Sequence, residues 1–358
     1  MSFPPVESEF AFELATCAWA EHVWPPEVAD KPALVARQLG WQKRRWDTIV
    51  LEVDPPALAA RLEFGSDALD SDLRHVLKNA PAEWQYYRDV LPYPGYPWRY
   101  VREAIHEADD REVLEVRKQS GRIEIKRQAP YPDWVERIVA IENKPDLDAS
   151  AARRLQGQLE RDVAASIADE VWLATEQTGD PVAPALLERI PAEVGILALG
   201  ESGAEVLWQP RTLTSQEPGI EILDRPAGGD HDQSAASFEV IDVAKKAEKR
   251  FDIAERALER GWRSFVETMR ADCVHFDLDR GRYGYQPICN AFGRHQTPSE
   301  CGSACAEFQP EPPGQRSKGW PVKGGAGRCV AGVLKDQRER RRQSVSRICT
   351  SERGTESR

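Results

Sequence analysis

The chain has 358 residues, with 59 acidic side chains against 48 Lys and Arg, a formal net charge of −11 and a pI near 5.3. That length accommodates about two domains with a sizeable core, and that charge excludes a protein that grips polyanions over its whole surface. No run of about 18 apolar residues occurs, so no transmembrane helix is expected.

The opening MSFPPVESEF has no basic stretch leading into an apolar run, so it does not read as a secretory signal, and the expected location is cytoplasmic. Arg outnumbers Lys by 36 to 12, and the mean hydropathy is −0.56. Many acids and few lysines suit a halophilic protein, kept soluble at high salt by an acidic shell. The acidity then describes the surrounding solution rather than a ligand.

In chain order, residues 9–22 read as a helix with Phe10, Leu14, Cys17 and Ala18 on one face and Glu9 and Glu13 on another. After Pro25-Pro26, residues 31–40 read as a second short helix. Residues 46–53, WDTIVLEV, alternate as a strand, with Trp46, Thr48 and Val50 on one face and Asp47, Ile49, Leu51 and Val53 on the other. Asp47 opens an otherwise apolar strand, where a carboxylate needs a reason to stand. It is either a solvated strand-start residue or a ligand; Glu52 and Asp54 are the next candidates.

Residues 66–79, 83–91 and 98–108 read as helices, separated by the turn PYPGYPW. Residues 113–118 and 122–128 are two strands around Ser120-Gly121, a hairpin signal. Helices followed by a two-stranded hairpin suggest an inserted winged-helix-like subdomain over residues 55–132. Arg117, Lys118, Arg122 and Lys126 give the wing a basic edge suited to phosphate contacts. Interleaved acids such as Glu112 and Glu124 leave a simple solvated hairpin as the competing reading.

Residues 134–176 then read strand, helix, strand. The first strand, 138–144, ends on Glu142-Asn143-Lys144, and an acid and a lysine two apart project from the same face. A carboxylate there can hold a divalent cation, and the lysine can orient a water or stabilise phosphoryl charge. The bland alternative is an edge-strand ion pair of little energetic consequence. The helix, 149–167, carries Gln158 and Asp162 one turn apart, and the second strand is 171–175. A short helix over 182–190 and two strands, 194–199 and 205–208, follow.

Asp47, the Glu142-x-Lys144 tripeptide, a helix bearing Gln158 and an apolar strand together resemble the PD-(D/E)xK nuclease superfamily. The whole chain resembles a haloarchaeal protein family built on this core. The resemblance covers residues 9–54 and 134–210. It implies an α/β restriction-endonuclease-like fold with a mixed central sheet flanked by helices, and Mg²⁺ or Mn²⁺ held by Asp47 and Glu142. Lys144 would act at the water or the phosphate, Gln158 would support the site, and Glu13 would be a more distant ligand. The implied substrate is DNA. The long insertion between Asp47 and Glu142 departs from the usual spacing. Superfamily members that have lost catalysis keep open a DNA-binding platform of the same fold, and a structural or regulatory metal-binding protein is a further alternative.

Residues 211–237, rich in Gly, Pro, Ser and Asp, read as a linker containing His231. Residues 238–270 read as one long amphipathic helix that docks on the core or on a second copy as a homodimer. The C-terminal module, within residues 238–330, spaces its cysteines as Cys273-x15-Cys289-x11-Cys301-x3-Cys305. Late-clustered cysteines in an odd total of seven argue for metal or free thiols rather than disulfides. Four thiolates would select zinc or an iron–sulfur cluster, with His275 and His295 as spare ligands. Because some nucleases of the superfamily complete an iron–sulfur centre with one upstream cysteine, the resemblance adds Cys17 as a substitute ligand. Cys329 and Cys349 fall in a basic tail, 331–358, of disordered composition.

Overall fold

The fold was analysed in a computed structural model, in which the described residues are 8–26, 31–41, 44–65, 68–177, 188–200, 203–224, 237–270, 272–281, 284–302, 304–310, 345–346 and 348. Helix α1, Glu9–Val23, starts on Ser8, whose hydroxyl caps the Ala11 N–H. Strands β1, Ala33–Trp41, and β2, Arg44–Val53, form an antiparallel pair. The expected helix at 31–40 is therefore a strand. Leu34, Val35, Ala36 and Leu39 are buried, and pairing to β2 overrides their helical spacing. Gly40 is required there, because a Cβ would stand 2.2 Å from the Arg44 carbonyl oxygen.

The insertion follows: α2, Pro55–Leu62; α3, Ser71–Asn79; β3, Gln85–Tyr86; α4, Tyr87–Val90; α5, Trp98–Asp110; β4, Leu114–Gln119; and β5, Arg122–Arg127. The hairpin gains β3 as a third strand, in the order β3-β5-β4. This unit has a core of its own, centred on Leu73, Val76, Val101, Ile105, Leu114 and Ile125.

The chain then returns to the first sheet. β6, Val135–Asn143, pairs antiparallel with β2, and α6, Ala149–Ala165, crosses over to β7, Glu170–Glu176, which is parallel to β6. β8, Gly195–Gly200, is parallel to β7, and β9, Gly203–Trp208, closes the edge antiparallel. The sheet order is β1-β2-β6-β7-β8-β9, a mixed central sheet flanked by helices. The expected helix at 182–190 lies largely outside the described residues, as do His231, Cys329 and Cys349. So does nearly all of the basic tail.

The expected linker carries β10, Gly219–Asp224, which pairs with β11, Ser237–Ile241. The long helix expected over 238–270 is thus a strand, then α7, Val243–Arg260, then a 3₁₀ turn, Arg263–Thr268. Asp242 caps α7 at the Lys245 N–H, and Gly261 ends it at φ 59°, a left-handed conformation that favours glycine. The cysteine segment forms β12, Phe276–Gly281; β13, Gly284–Cys289; and β14, Arg294–His295.

Three layers result. On one sheet face α1 packs with Trp262, Phe265 and Met269 over Val50, Val139 and Ile141. On the other, α6 and α7 bury Leu155, Leu159, Ile253, Ala254 and Leu258 against Ile49, Leu51 and Ile138. The apolar face of α7 is consumed within the chain rather than offered to a second copy. No described helix is long and apolar enough to cross a membrane.

Candidate functional site

The sheet pleat sets the site. Thr48 and Val50 face α1, while Ile49, Leu51 and Val53 face α6 and α7. The alternation breaks at Asp47, because Trp46 also joins the α6 side. β1 breaks opposite it: Ala36 and Leu39 share that side, and Gln38 between them adopts φ 53°. This matched interruption turns the Asp47 side chain away from the Ile49 side and into the cleft that it lines with Glu13 of α1. Its Oδ2 accepts the Asn143 N–H at 3.0 Å, and its Oδ1 accepts from Gln38 Nε2 at 3.1 Å.

Glu142 therefore stands next to Asp47, although 95 positions separate them in the chain. Burial, and then the charge of Asp47, push the Glu142 carboxyl up to about 7. Burial likewise raises Asp47, Glu13 and Asp162 above the usual carboxylate range. Glu13 reaches in from α1, where Arg37 holds it with two bonds of 3.0 and 2.9 Å and Gln38 adds a third at 2.8 Å.

Two members of the cluster were not expected. Arg44, at the start of β2, places Nη2 2.8 Å from Glu142 Oε2 and 2.6 Å from Asp162 Oδ2. Burial disfavours the Arg44 cation, but hydrogen bonding and charge from Asp162, then Glu142, outweigh it and raise its pKa. Asp162 also accepts from Trp46 Nε1 at 3.0 Å. The sequence signal was present: Asp162 lies one turn beyond Gln158 on the same helix, and a buried acid on an amphipathic helix needs a partner. Gln158 itself is half-buried and makes no hydrogen bond to the cluster among the described residues.

Lys144 lies one residue past the end of β6, and its Nζ pairs with Glu9 at the start of α1. The Glu-x-Lys pair is thus divided: Glu142 engages Arg44 beside α6, and the ammonium engages α1. The next-best acids have structural duties. Glu52 is buried and accepts from Trp24 Nε1 at 3.0 Å and Lys31 Nζ at 2.9 Å, while Asp54 caps α2.

Asp47, Glu13, Glu9 and Asn143 line a cleft of about 680 Å³. The Asn143 amide nitrogen donates to Thr48 Oγ1 at 2.9 Å, but its buried Oδ1 has no partner among the described residues. Among the described residues, no three His, Cys, Asp or Glu side chains converge on a point that a metal ion could occupy.

The other expected sites resolve unevenly. On the hairpin, Arg117 bonds Glu124 at 2.8 Å and Lys126 bonds Glu115 at 3.1 Å. The Arg117 and Arg122 guanidinium groups lie over Trp84 and Tyr86. Among the described residues, only Lys118 of the four projects without such a contact. Cys273, Cys289, Cys301 and Cys305 are free thiols in one neighbourhood. Burial raises the Cys301 thiol, the Arg270 N–H lowers it, and the charges of Cys273, Cys289 and Cys305 raise it again. Cys17 is fully buried at the sheet, 3.3 Å from Thr48 Oγ1.

No match was found among curated proteins or among solved structures. A family model does match, over residues 34–310, which span both flanks of the site, the insertion and the cysteine segment. The chain therefore belongs to the DUF5787 family, described as a family of unknown function.

Proposed function

We propose that the protein is a metal-dependent DNA phosphodiester hydrolase with a restriction-endonuclease-like, PD-(D/E)xK-type core. The observation that carries this reading is the meeting of Asp47 and Glu142 on adjacent strands β2 and β6, with an unpartnered carbonyl oxygen of Asn143 beside Asp47. The order of the elements agrees with the resemblance: an acid-bearing strand, the Glu-x-Lys strand, a helix, an apolar parallel strand and a closing strand pair.

The residues fit a hard divalent cation by donor chemistry and by charge. Glu13, Asp47, Glu142 and Asp162 against Arg37 and Arg44 leave a buried excess of two negative charges. Buried charge of that size calls for a counter-ion or for protonation. Mg²⁺ commonly takes only one or two carboxylates and keeps its waters. Asp47 and Glu142 would hold it. When bound, it supplies a polarised phosphoryl oxygen and a water of lowered pKa. Glu142, whose carboxyl burial and the charge of Asp47 push up to about 7, would hold the cation in its deprotonated form. Asp162, which bonds Arg44 beside Glu142, would keep that guanidinium if Glu142 turned to the cation. The Lys144 ammonium, now paired with Glu9, would serve at the phosphate, where a cation stabilises the charge of the transition state.

The cysteine segment is proposed as a thiolate site for zinc or an iron–sulfur cluster, supported by the mutual electrostatic reach of Cys273, Cys289, Cys301 and Cys305. The thiols are gathered but not closed to ligating distance, and drawing them together is the folding work that metal binding would do.

A second reading has its own support. Arg44 already neutralises Glu142, as it would in a DNA-binding platform that no longer cleaves. Cleavage of single- and double-stranded DNA with Mg²⁺ or Mn²⁺ in molar KCl separates the two. Cutting by wild type that is lost in Lys144→Ala supports the hydrolase. No cutting by either, with DNA binding intact, gives the platform.

A further inference from the structure

A second cleft, of about 570 Å³, opens between α3, α7 and the β1–β2 hairpin and shares Gln38 and Arg45 with the acidic one. Besides Arg44, which is committed to Glu142 and Asp162, it is walled by Arg45, Arg74, Lys245, Lys249 and Arg256, against Glu248 and Asp252. A local excess of three positive charges in a chain of net charge −11 is a concentrated feature rather than a share of the average surface.

Arg74 gives the cleft its chemistry. It comes from the insertion, on α3, and is only 8 % exposed. Its guanidinium lies 4.8 Å from the Phe251 ring centre on α7, which fixes its plane. Nε makes one long bond, 3.3 Å, to the Asp70 carbonyl oxygen. Asp252 stands 3.9 Å from Nη2, beyond hydrogen-bond range, and gives its other oxygen to Arg256 at 2.9 Å. Nη1 is buried and has no acceptor among the described residues. A guanidinium held in place with unmet donors matches a phosphate, which offers several oxygens to a planar fork. At the mouth, Arg45 is exposed, has no side-chain partner among the described residues, and faces both clefts.

We propose that this cleft is a phosphodiester-binding groove, in which Arg74 and Arg45 hold the backbone of a nucleic-acid strand leading into the acidic cleft. The inference rests on the hydrolase reading for its direction, but it assigns the grip to α3, α7 and the β1–β2 hairpin instead of the β4–β5 hairpin. The insertion then has a role: it supplies a buried guanidinium with an unmet donor, whereas Arg37 and Arg44 of the sheet are committed to acids.

The test is fluorescence anisotropy of labelled single- and double-stranded oligonucleotides with the full chain, over a range of KCl. Arg45→Gln, Arg74→Lys and the hairpin double variant Lys118→Gln/Arg122→Gln run beside wild type and Glu142→Gln. Arg45→Gln is expected to weaken binding about tenfold and to lower the salt slope by roughly one. Arg74→Lys, which keeps the charge but loses the fork, is expected to weaken it severalfold with the slope unchanged. The hairpin variant should bind within twofold of wild type. Unchanged binding in both cleft variants, or loss confined to the hairpin variant, overturns the proposal. Equal competition by inorganic phosphate at matched phosphorus concentration also overturns it, since the site would then take a small anion and not a strand. If no protein cleaves DNA but the cleft variants still lose binding, the groove stands and the hydrolase reading falls.

Discussion

Arg44 Nη2 lies 2.6 Å from Asp162 Oδ2, joining the start of the second strand to the helix that follows the Glu-x-Lys strand. The same nitrogen reaches Glu142, so a single guanidinium holds two buried acids. Removing one partner of such a set leaves charge without compensation, which costs more than the intact pair contributes. We predict that Arg44→Met lowers unfolding stability by about 3 kcal/mol at pH 8. Millimolar Mg²⁺ should restore much of that loss by taking the vacated charge position. Urea titrations with and without Mg²⁺ measure both. An Arg44→Met variant as stable as wild type, or one indifferent to Mg²⁺, contradicts the charge accounting of the site.

The pH dependence of stability follows from Glu142. With its carboxyl raised from 4.5 to about 7, the folded chain keeps a proton that the unfolded chain has already released between those values. The folded state binds more protons there, so stability falls as pH rises through about 4.5 to 7 and levels off above. Asp47, Glu13 and Asp162, raised by burial, act in the same direction. The Glu142 share is on the order of 3 kcal/mol. Glu142→Gln should flatten that part of the curve, read by denaturant unfolding at pH 5 and pH 7.5; a variant with the wild-type slope would assign the dependence elsewhere.

Much of this architecture was legible in the chain. The strand patterns of residues 46–53 and of the Glu142-x-Lys144 segment gave the two central strands, and the helix expected over 149–167 gave the crossover. Two readings failed for one physical reason. Residues 31–40 and 238–242 carry apolar spacing compatible with a helix, but pairing partners decide their state, and those partners lie elsewhere in sequence. Asp47 and Glu142 were noticeable in the chain because apolar strands rarely carry carboxylates without cause. Their counter-ion was not, because Arg44 meets Asp162 only after the sheet brings together positions 118 residues apart. On the basic hairpin the interleaved acids were visible in the chain, but which cation each meets was not: Arg117 bonds Glu124 and Lys126 bonds Glu115 across the two strands.

Lys144 and Glu9 should separate stability from activity. Glu9 is exposed and the pair is at the surface, where an ion pair contributes about 0–1 kcal/mol. We predict that Glu9→Gln leaves unfolding unchanged within that range. If the Lys144 ammonium must leave Glu9 for the phosphate, Glu9→Gln also retains or raises cleavage, while Lys144→Ala loses about a hundredfold or more. Equal losses in both variants would mark the pair as structural.

The cysteine segment predicts bound metal. Protein purified without oxygen should carry zinc, read by elemental analysis, or show the brown colour of an iron–sulfur cluster. Cys301→Ala should lose the metal first, since its thiol is the one that the other three surround electrostatically. Cys17→Ala should retain it, because Cys17 faces Thr48 within the core. Loss in Cys17→Ala with retention in Cys301→Ala would reverse the ligand assignment.

Arg61 and Glu255 provide the strongest stability prediction away from the site. Both are buried, joined by a two-pronged ion pair, and Glu255 also accepts from the Leu69 N–H at 3.1 Å and the Tyr131 hydroxyl at 2.5 Å. Arg61, in the last turn of α2, Leu69 and Tyr131 all belong to the insertion, and Glu255 is on α7, so one carboxylate fastens the insertion to α7. Glu255→Ala would strand a buried guanidinium and should cost about 3–5 kcal/mol. Tyr131→Phe removes the bond to a charged acceptor and the one that the hydroxyl accepts from Trp134 Nε1, and should cost about 1.5–3 kcal/mol. Because α7 and α3 wall the basic cleft, Glu255→Ala should also weaken oligonucleotide binding where the chain remains folded, with Arg74 displaced from Phe251. Equilibrium unfolding followed by far-UV circular dichroism and by Trp fluorescence tests the fastening. Loss of coincidence between the two in Glu255→Ala marks the insertion melting ahead of the core, whereas one shared transition at wild-type stability would show that the network holds nothing together.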